Sequence, residues 1–139
     1  MAYQSLKSVL GQIDLFAGVP EDVLSDLVNA GTTLTTPAGG PVATKGSSDA
    51  GLQVVLEGSV NVAVSGAERP PIGPGEYFGE ISLIDGKGRS ADLKAGDDGV
   101  TTFAISQLSF SPLIDRHPSL SRALLKVLCA RIRSLEGSS

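Results

Sequence analysis

The sequence predicts a mainly β fold with flanking helices: an α+β arrangement with an antiparallel β-roll or jelly-roll barrel between N-terminal and C-terminal helices. Apolar residues at helical spacing occur at the two ends of the chain, before residue 32 and after residue 106. The middle holds short β-branched runs in which apolar and polar residues alternate. The chain's 17 glycines and 8 prolines are more turn residues than a helical bundle requires.

The length and the order of these patterns predict the domain organisation. A chain of 139 residues is a normal size for one domain. No linker long enough to separate two domains interrupts it. We therefore expect a single domain over residues 1–139, with a helical start at 1–31, a β-roll at 32–106 and C-terminal helices at 107–136.

Two helices are predicted at the N-terminus. The first has an apolar stripe at helical spacing, and the second has Pro20 at its first position and Gly31 at its end. Glu21 and Asp22 favour the positive end of the second helix. The first stripe comprises Leu6, Val9, Leu10 and Ile13, and the second comprises Val23, Leu24, Leu27 and Val28.

Six short strands are predicted in the middle of the chain. Gly58 separates the third from the fourth, and Asp97-Asp98-Gly99 is expected to be a turn between the last two. The predicted strands are Thr32–Thr36, Val42–Lys45, Leu52–Glu57, Ser59–Val64, Arg89–Ala95 and Val100–Ile105. Many short strands at close spacing favour an antiparallel roll or barrel.

The C-terminal end is predicted to be helical again. Leu108–Arg116 forms a short helix, and His117-Pro118 restarts the chain. An apolar stripe then follows, which is most simply core packing, with a lid or a dimer surface as alternatives. Its members are Leu120, Leu124, Leu128, Ile132 and Leu135. Cys129 lies beside the stripe, where we expect a packed thiol rather than a reactive one.

Composition excludes several classes of function. A net charge of −4 provides no dense cationic face, so we expect no direct nucleic-acid partner. One cysteine and one histidine cannot assemble the usual metal centres, and no metal site is expected. The sequence contains no run of 18 apolar residues, so no membrane span is predicted. Its N-terminus does not resemble a secretory signal, and a cytoplasmic location is therefore expected.

The segment from Gly75 to Ala91 carries the residues that predict a binding site. Gly79 allows the backbone to approach a ligand closely, and Glu80–Leu83 can form one helical turn whose first amides lack internal partners. Free amides of this kind attract an anion. Gly86 and Gly88 let the chain reverse, so that Arg89 begins a strand directed back at the same place.

This arrangement offers one carboxylate, one guanidinium and a set of backbone donors. A guanidinium fork matches two phosphate oxygens, and a carboxylate accepts a hydrogen bond from a sugar hydroxyl. Ser90 adds a hydroxyl donor. A phosphate diester with a neighbouring hydroxyl would satisfy all of these groups.

At these residues the chain resembles the cyclic nucleotide-binding domain family, which includes cyclic AMP receptors and protein kinase A regulatory subunits. The family's phosphate-binding cassette reads Phe-Gly-Glu, then apolar or small residues, then a variable run and Arg-Ser-Ala or a close variant. The matching residues here are Phe78, Gly79, Glu80, Ile81, Ser82 and Leu83, followed by Arg89, Ser90 and Ala91. The flanks are also similar, so the resemblance covers nearly the whole chain.

The resemblance implies a role for each residue of the cassette. Glu80 would bind the ribose 2′-hydroxyl, the amides of Ile81 and Ser82 would face the phosphate, and Arg89 would pair with it. Ser90 would lie beside the phosphate, and Gly79 and Ala91 complete the ligand-binding motif. The last helix would close over the base. The sequence departs from the family at Gly88, where proline is common, and at Asp92.

The resemblance further implies a non-enzymatic sensor that has no cofactor and takes a cyclic nucleotide as its ligand. Ser90 after the arginine favours cyclic AMP over cyclic GMP. One alternative is a degenerate roll that serves in interaction or homodimerisation without nucleotide. A cupin-type enzyme of similar architecture would need several histidines, and the chain has one. Four residues follow Leu135, so we expect no appended DNA-reading helix; the effector is a separate protein or the rest of a longer chain.

Overall fold

The computed structural model describes residues 3–43, 51–64, 67–68, 70–85 and 92–137. Residue contacts divide the chain into two compact units. The helical unit comprises Met1–Asn29 and Ser111–Ser139, and the β unit comprises Ala30–Phe110. That the whole chain acts as a single domain stays a prediction.

The N-terminal part of the helical unit contains two α-helices separated by a short 3₁₀ turn. Helix α1 spans Tyr3–Gln12, the turn spans Asp14–Phe16, and α2 spans Glu21–Ala30. The backbone N–H groups of Val23 and Leu24 both donate to the carbonyl of Pro20, so α2 begins where its proline predicts. The predicted stripe of α2 is buried.

Two further helices end the chain, and the second differs from its prediction. Helix α3, Glu80–Asp85, lies in the β unit, and the two final helices are α4 (Gln107–Arg116) and α5 (Pro118–Gly137). Leu120 and Leu124 are buried in α5, but Ile132 and Leu135 are 55% and 72% exposed. The predicted core stripe is therefore core only in its first half. The prediction of a packed thiol was also wrong, since Cys129 is exposed. Among the described residues, no helix combines the length and apolarity needed to cross a membrane.

Over its described residues, the β unit is a six-stranded antiparallel sheet built on two long strands. Its strands, in chain order, are β1 (Thr32–Thr36), β2 (Pro41–Ala43), β3 (Gly51–Val64), β4 (Ala67–Glu68), β5 (Tyr77–Phe78) and β6 (Asp92–Ser106). The main order is β1-β6-β3-β4, with β2 paired to β6 and β5 paired to β3. The predicted mainly β fold with flanking helices is confirmed. Over the described residues, this pairing path is open at β1 and β4, so the sheet is a roll and not a closed barrel.

The sequence predicted two short strands in place of β3 and two in place of β6. Gly58 does not end a strand; it continues β3 with a φ of 80°, and the β3–β6 register shifts on both sides of it. The residues Asp97-Asp98-Gly99 belong to β6. On either side of them, Val100 pairs with Gly58 and Ala95 pairs with Val60. Four residues of β6 thus oppose one residue of β3, Ser59. The polar residues that suggested a turn form a bulge within a continuous strand.

The core of the roll includes a buried apolar cluster. Its buried members are Val55, Val60, Phe78, Leu93, Ala95 and Val100. They come from β3, β5 and β6. The face of β3 that carries Val55 therefore points into the roll.

Candidate functional site

The start of the candidate site is held against β3 by backbone hydrogen bonds. In β5, Tyr77 pairs with Val54 and Phe78 pairs with Gln53. The Val55 N–H donates to the Glu76 carbonyl at 2.9 Å, and the Gly75 N–H donates to the Val55 carbonyl at the same distance. The chain therefore reaches Gly79 from a fixed place on the central strand of the roll.

Gly79 changes the direction of the chain at this place. Its φ is 86°, in the region that side chains with a Cβ rarely adopt. Helix α3 follows immediately over Glu80–Asp85, and the Leu83 N–H donates to the Gly79 carbonyl at 3.0 Å. The predicted helical turn after Gly79 is present and runs two residues further than expected.

The side chains of α3 divide into a buried and an exposed set. Ser82 and Leu83 are buried, whereas Ile81 and Ile84 are 56% and 41% exposed. Glu80 is half-buried at the first position of the helix. Burial of Ser82 and Leu83 fixes the rotation of α3 about its axis. This in turn fixes the position of Glu80 at the start of the helix.

Four of the seven predicted site residues lie on this one described segment: Gly79, Glu80, Ile81 and Ser82. The other three, Arg89, Ser90 and Ala91, lie outside the described residues. The predicted convergence of Glu80 and Arg89 on one ligand is therefore still a prediction.

The family of the chain follows from comparison with known proteins. The family model described as cyclic nucleotide-binding domain matches residues 33–117, more than half of the chain. The chain belongs to the cyclic nucleotide-binding domain family. The resemblance inferred from residues 78–91 is thereby confirmed, and the family is one of regulatory binding domains.

Curated relatives include a potassium channel and a receptor protein. The cyclic nucleotide-gated potassium channel of Mesorhizobium japonicum is 30% identical over 123 residues, which cover 88% of this chain and 34% of the channel. The cyclic AMP receptor protein of Thermus thermophilus is 33% identical over 105 residues, which cover 72% of this chain and 48% of the receptor. The cyclic nucleotide-binding domain described here thus spans between a third and a half of these relatives.

A solved structure supports the same fold. The N-terminal domain of a transcriptional regulator from Streptomyces coelicolor A3(2) superposes with a TM-score of 0.80 at 27% identity, and the match covers 94% of each chain. The similarity extends over nearly the full length of both chains.

One feature of this cyclic nucleotide-binding domain was missed at the sequence level. Gln53 and Thr102 are buried in the sheet, and the Thr102 hydroxyl donates to Gln53 Oε1 at 2.8 Å. The available signal was a single amide within the otherwise apolar run Leu52–Leu56. The partner, 49 positions away, could not be read from the sequence because it depends on the β3–β6 register.

Two surface cavities are lined by none of the described residues of the candidate site. One, of about 330 Å³, is lined at the β6 bulge by Glu57, Asp97 and Asp98 among others. The other, of about 360 Å³, lies between the 3₁₀ turn and α5. Among the described residues, no group of three histidine, cysteine or acidic side chains could hold a metal ion.

Proposed function

We propose that this domain binds a cyclic nucleotide as a regulatory ligand and prefers cyclic AMP to cyclic GMP. The observation that carries the proposal is the Gly79–Glu80 junction, where a positive φ and a short helix follow a strand fixed on β3. Family membership supplies the class of ligand. Ser90 and the name of the Thermus thermophilus relative, a cyclic AMP receptor protein, both favour cyclic AMP.

The proposed contacts follow the family's cassette. Glu80 accepts a hydrogen bond from the ribose 2′-hydroxyl, and the amides of Ile81 and Ser82 face the cyclic phosphate. Arg89 pairs with two phosphate oxygens through its guanidinium fork. Ser90 lies beside the phosphate, and Gly79 and Ala91 keep the backbone close to the ligand.

The proposed response is a change in the position of α5. Binding of the nucleotide favours the state in which α5 packs over the base, so the ligand shifts the populations of two states. The protein has no catalytic role in this proposal and passes the signal to an effector protein or domain. A cytoplasmic location also remains a prediction from composition.

Titration calorimetry with both nucleotides tests the proposal. The wild-type protein should bind cyclic AMP more tightly than cyclic GMP. Replacement of Arg89 by alanine should weaken binding by about 2–4 kcal/mol, because a charge-assisted bidentate pair is lost. Glu80→Gln should also weaken binding, because the charged acceptor for the ribose hydroxyl is lost.

Lys87→Ala is the matched control. It removes a cation from the same segment, but Lys87 is not one of the cassette residues. Its affinity should equal that of the wild-type protein. Unchanged affinity in the Arg89→Ala protein would contradict the role given to that residue. A cyclic GMP affinity above that for cyclic AMP would contradict the proposed base preference.

A second candidate function is an interaction module that does not bind nucleotide. The observation that favours it is the exposure of Leu125, Ile132 and Leu135, which are 61%, 55% and 72% exposed on α5. Exposed apolar side chains on one helix are typical of a protein contact. The thermal unfolding midpoint discriminates the two functions, because a ligand that binds only the folded state raises it. An unchanged midpoint with either nucleotide would favour the interaction module.

A further inference from the structure

The Gln53–Thr102 pair is an unusual feature of the roll because both side chains are buried. Gln53 is 9% exposed and Thr102 is 2% exposed, and their hydrogen bond is 2.8 Å long. Burial of an amide or a hydroxyl costs free energy unless the group is hydrogen-bonded. This pair therefore favours the one arrangement of β3 and β6 in which the two groups meet.

The pair lies on the interior face of the roll. Gln53 is two residues from Val55 along β3, and Thr102 is two residues from Val100 along β6. Val55 and Val100 belong to the core of the roll, and side chains two apart on a strand share a face. Because Val55 pairs with Thr102, Gln53 and Thr102 are diagonal neighbours on that face.

Gln53 also holds the strand that leads into the candidate site. Its backbone is the register partner of Phe78, the residue before Gly79. One residue thus joins β6 through its side chain and β5 through its main chain. A different placement of β3 against β6 at Gln53 would therefore also change the position of its partner Phe78, next to Gly79.

The β3–β6 register is irregular close to this pair, so a contact that selects one register has an effect there. The pairing shifts between Val55 and Glu57, and again between Gly58 and Val60. A slip by one residue turns each side chain to the opposite face of a sheet. Apolar residues at positions 53 and 102 would tolerate an altered register, whereas a slip of this pair would leave buried polar groups without partners.

We propose that Gln53 and Thr102 are positioning residues for nucleotide binding. Their hydrogen bond sets the register of β3 against β6 beside the bulge and so fixes the place where Gly79 and Glu80 meet the ligand. This inference rests on the function proposed above, but the strand pairing that it describes can be measured without any nucleotide.

The test replaces both polar groups together. The Gln53→Leu/Thr102→Val protein keeps similar side-chain volumes and leaves no polar group unpaired, so its free energy of unfolding should stay close to the wild-type value. Its affinity for cyclic AMP should fall about tenfold or more, because Glu80 loses its fixed position. The conservative Thr102→Ser protein retains the hydroxyl and should retain the affinity.

Thr35 and Thr101 provide a matched control. Their hydroxyls lie 3.5 Å apart across β1 and β6, but on the exposed side of the sheet. The Thr35→Val/Thr101→Val protein also loses a cross-strand polar pair, and it should bind cyclic AMP as the wild-type protein does. Equal affinities for the wild-type and Gln53→Leu/Thr102→Val proteins would overturn the inference. So would a loss of affinity in Gln53→Leu/Thr102→Val that is matched by an equal loss of stability.

Amide hydrogen exchange of the nucleotide-free protein separates this inference from the proposed function. The N–H groups of Val55 and Gly75 form the bonds that hold the approach to the site on β3. They should exchange about tenfold faster in the Gln53→Leu/Thr102→Val protein. If the wild-type protein binds neither nucleotide, the proposed function fails, and unchanged exchange at these two amides overturns the positioning role by itself.

Discussion

At the scale of single residues, Gly58 and Gly39 distinguish the backbone cost of an added side chain from its steric cost. Both have a positive φ, 80° and 73°. A Cβ at Gly58 would overlap the carbonyl oxygen of Gly99, whereas a Cβ at Gly39 would meet nothing within 4 Å. Gly39→Ala should therefore cost only the backbone term of about 1–2 kcal/mol, and Gly58→Ala should cost clearly more. Urea unfolding of the two variants measures both values, and equal losses would show that the bulge gives way around Gly58.

Gly79 and Gly58 show what single residues reveal in a sequence. Gly79 was predicted to allow a special backbone conformation, because it stands before a helical turn in a recognisable motif, and its φ of 86° agrees. Gly58 was interpreted as a strand break. Its actual environment is a close approach to Gly99, 41 positions away, and only the pairing of β3 with β6 brings those residues together.

At the scale of elements, a side-chain contact joins α2 to the α4–α5 junction. His117 Nε2 lies 2.8 Å from Asp26 Oδ2, and the two side chains are 19% and 38% exposed. Replacing either residue by alanine should lower the free energy of unfolding by about 1 kcal/mol, as expected for a partly buried hydrogen bond. A double-mutant cycle over Asp26→Ala and His117→Ala isolates the pair. A coupling energy near zero would mean that the contact contributes nothing to the helical unit.

The sequence predicted the type of each helix and strand well, but it predicted the burial of their side chains less well. Helical spacing identified α2, α4 and α5, and β-branched runs identified β1. Spacing shows which residues share a face but not what covers that face. The stripe with Ile132 and Leu135 was therefore left between core packing, a lid and a dimer surface, and both residues are exposed. Cys129 was predicted to be packed and is exposed. The cassette was recognisable because its residues are close in sequence. The Gln53–Thr102 pair was not, because it depends on strand register.

At the scale of the whole molecule, charge is unevenly distributed along the chain. The net charge is −4, yet α5 carries four cations, Arg122, Lys126, Arg131 and Arg133, and the single acid Glu136. The exposed apolar residues Leu125, Ile132 and Leu135 lie on the same helix. Any partner that covers them must also accept the positive charge of α5.

This charge leads to a prediction about a homodimer formed through α5, one of the alternatives for its apolar stripe. Two copies that pack through the exposed apolar residues of α5 bring two cationic helices together, and like charges oppose their association. Added salt screens this repulsion, so the dimer should become tighter between about 0.05 and about 0.5 M salt. Sedimentation equilibrium over that range measures the dissociation constant.

Ile132→Glu is the variant that tests whether α5 forms the contact. It places a carboxylate in the middle of the apolar surface, which an α5-mediated dimer could not bury without a large loss of affinity. A dimer that weakens with added salt, or that persists in the Ile132→Glu protein, must use a different surface. A protein that stays monomeric under all these conditions contradicts the homodimer.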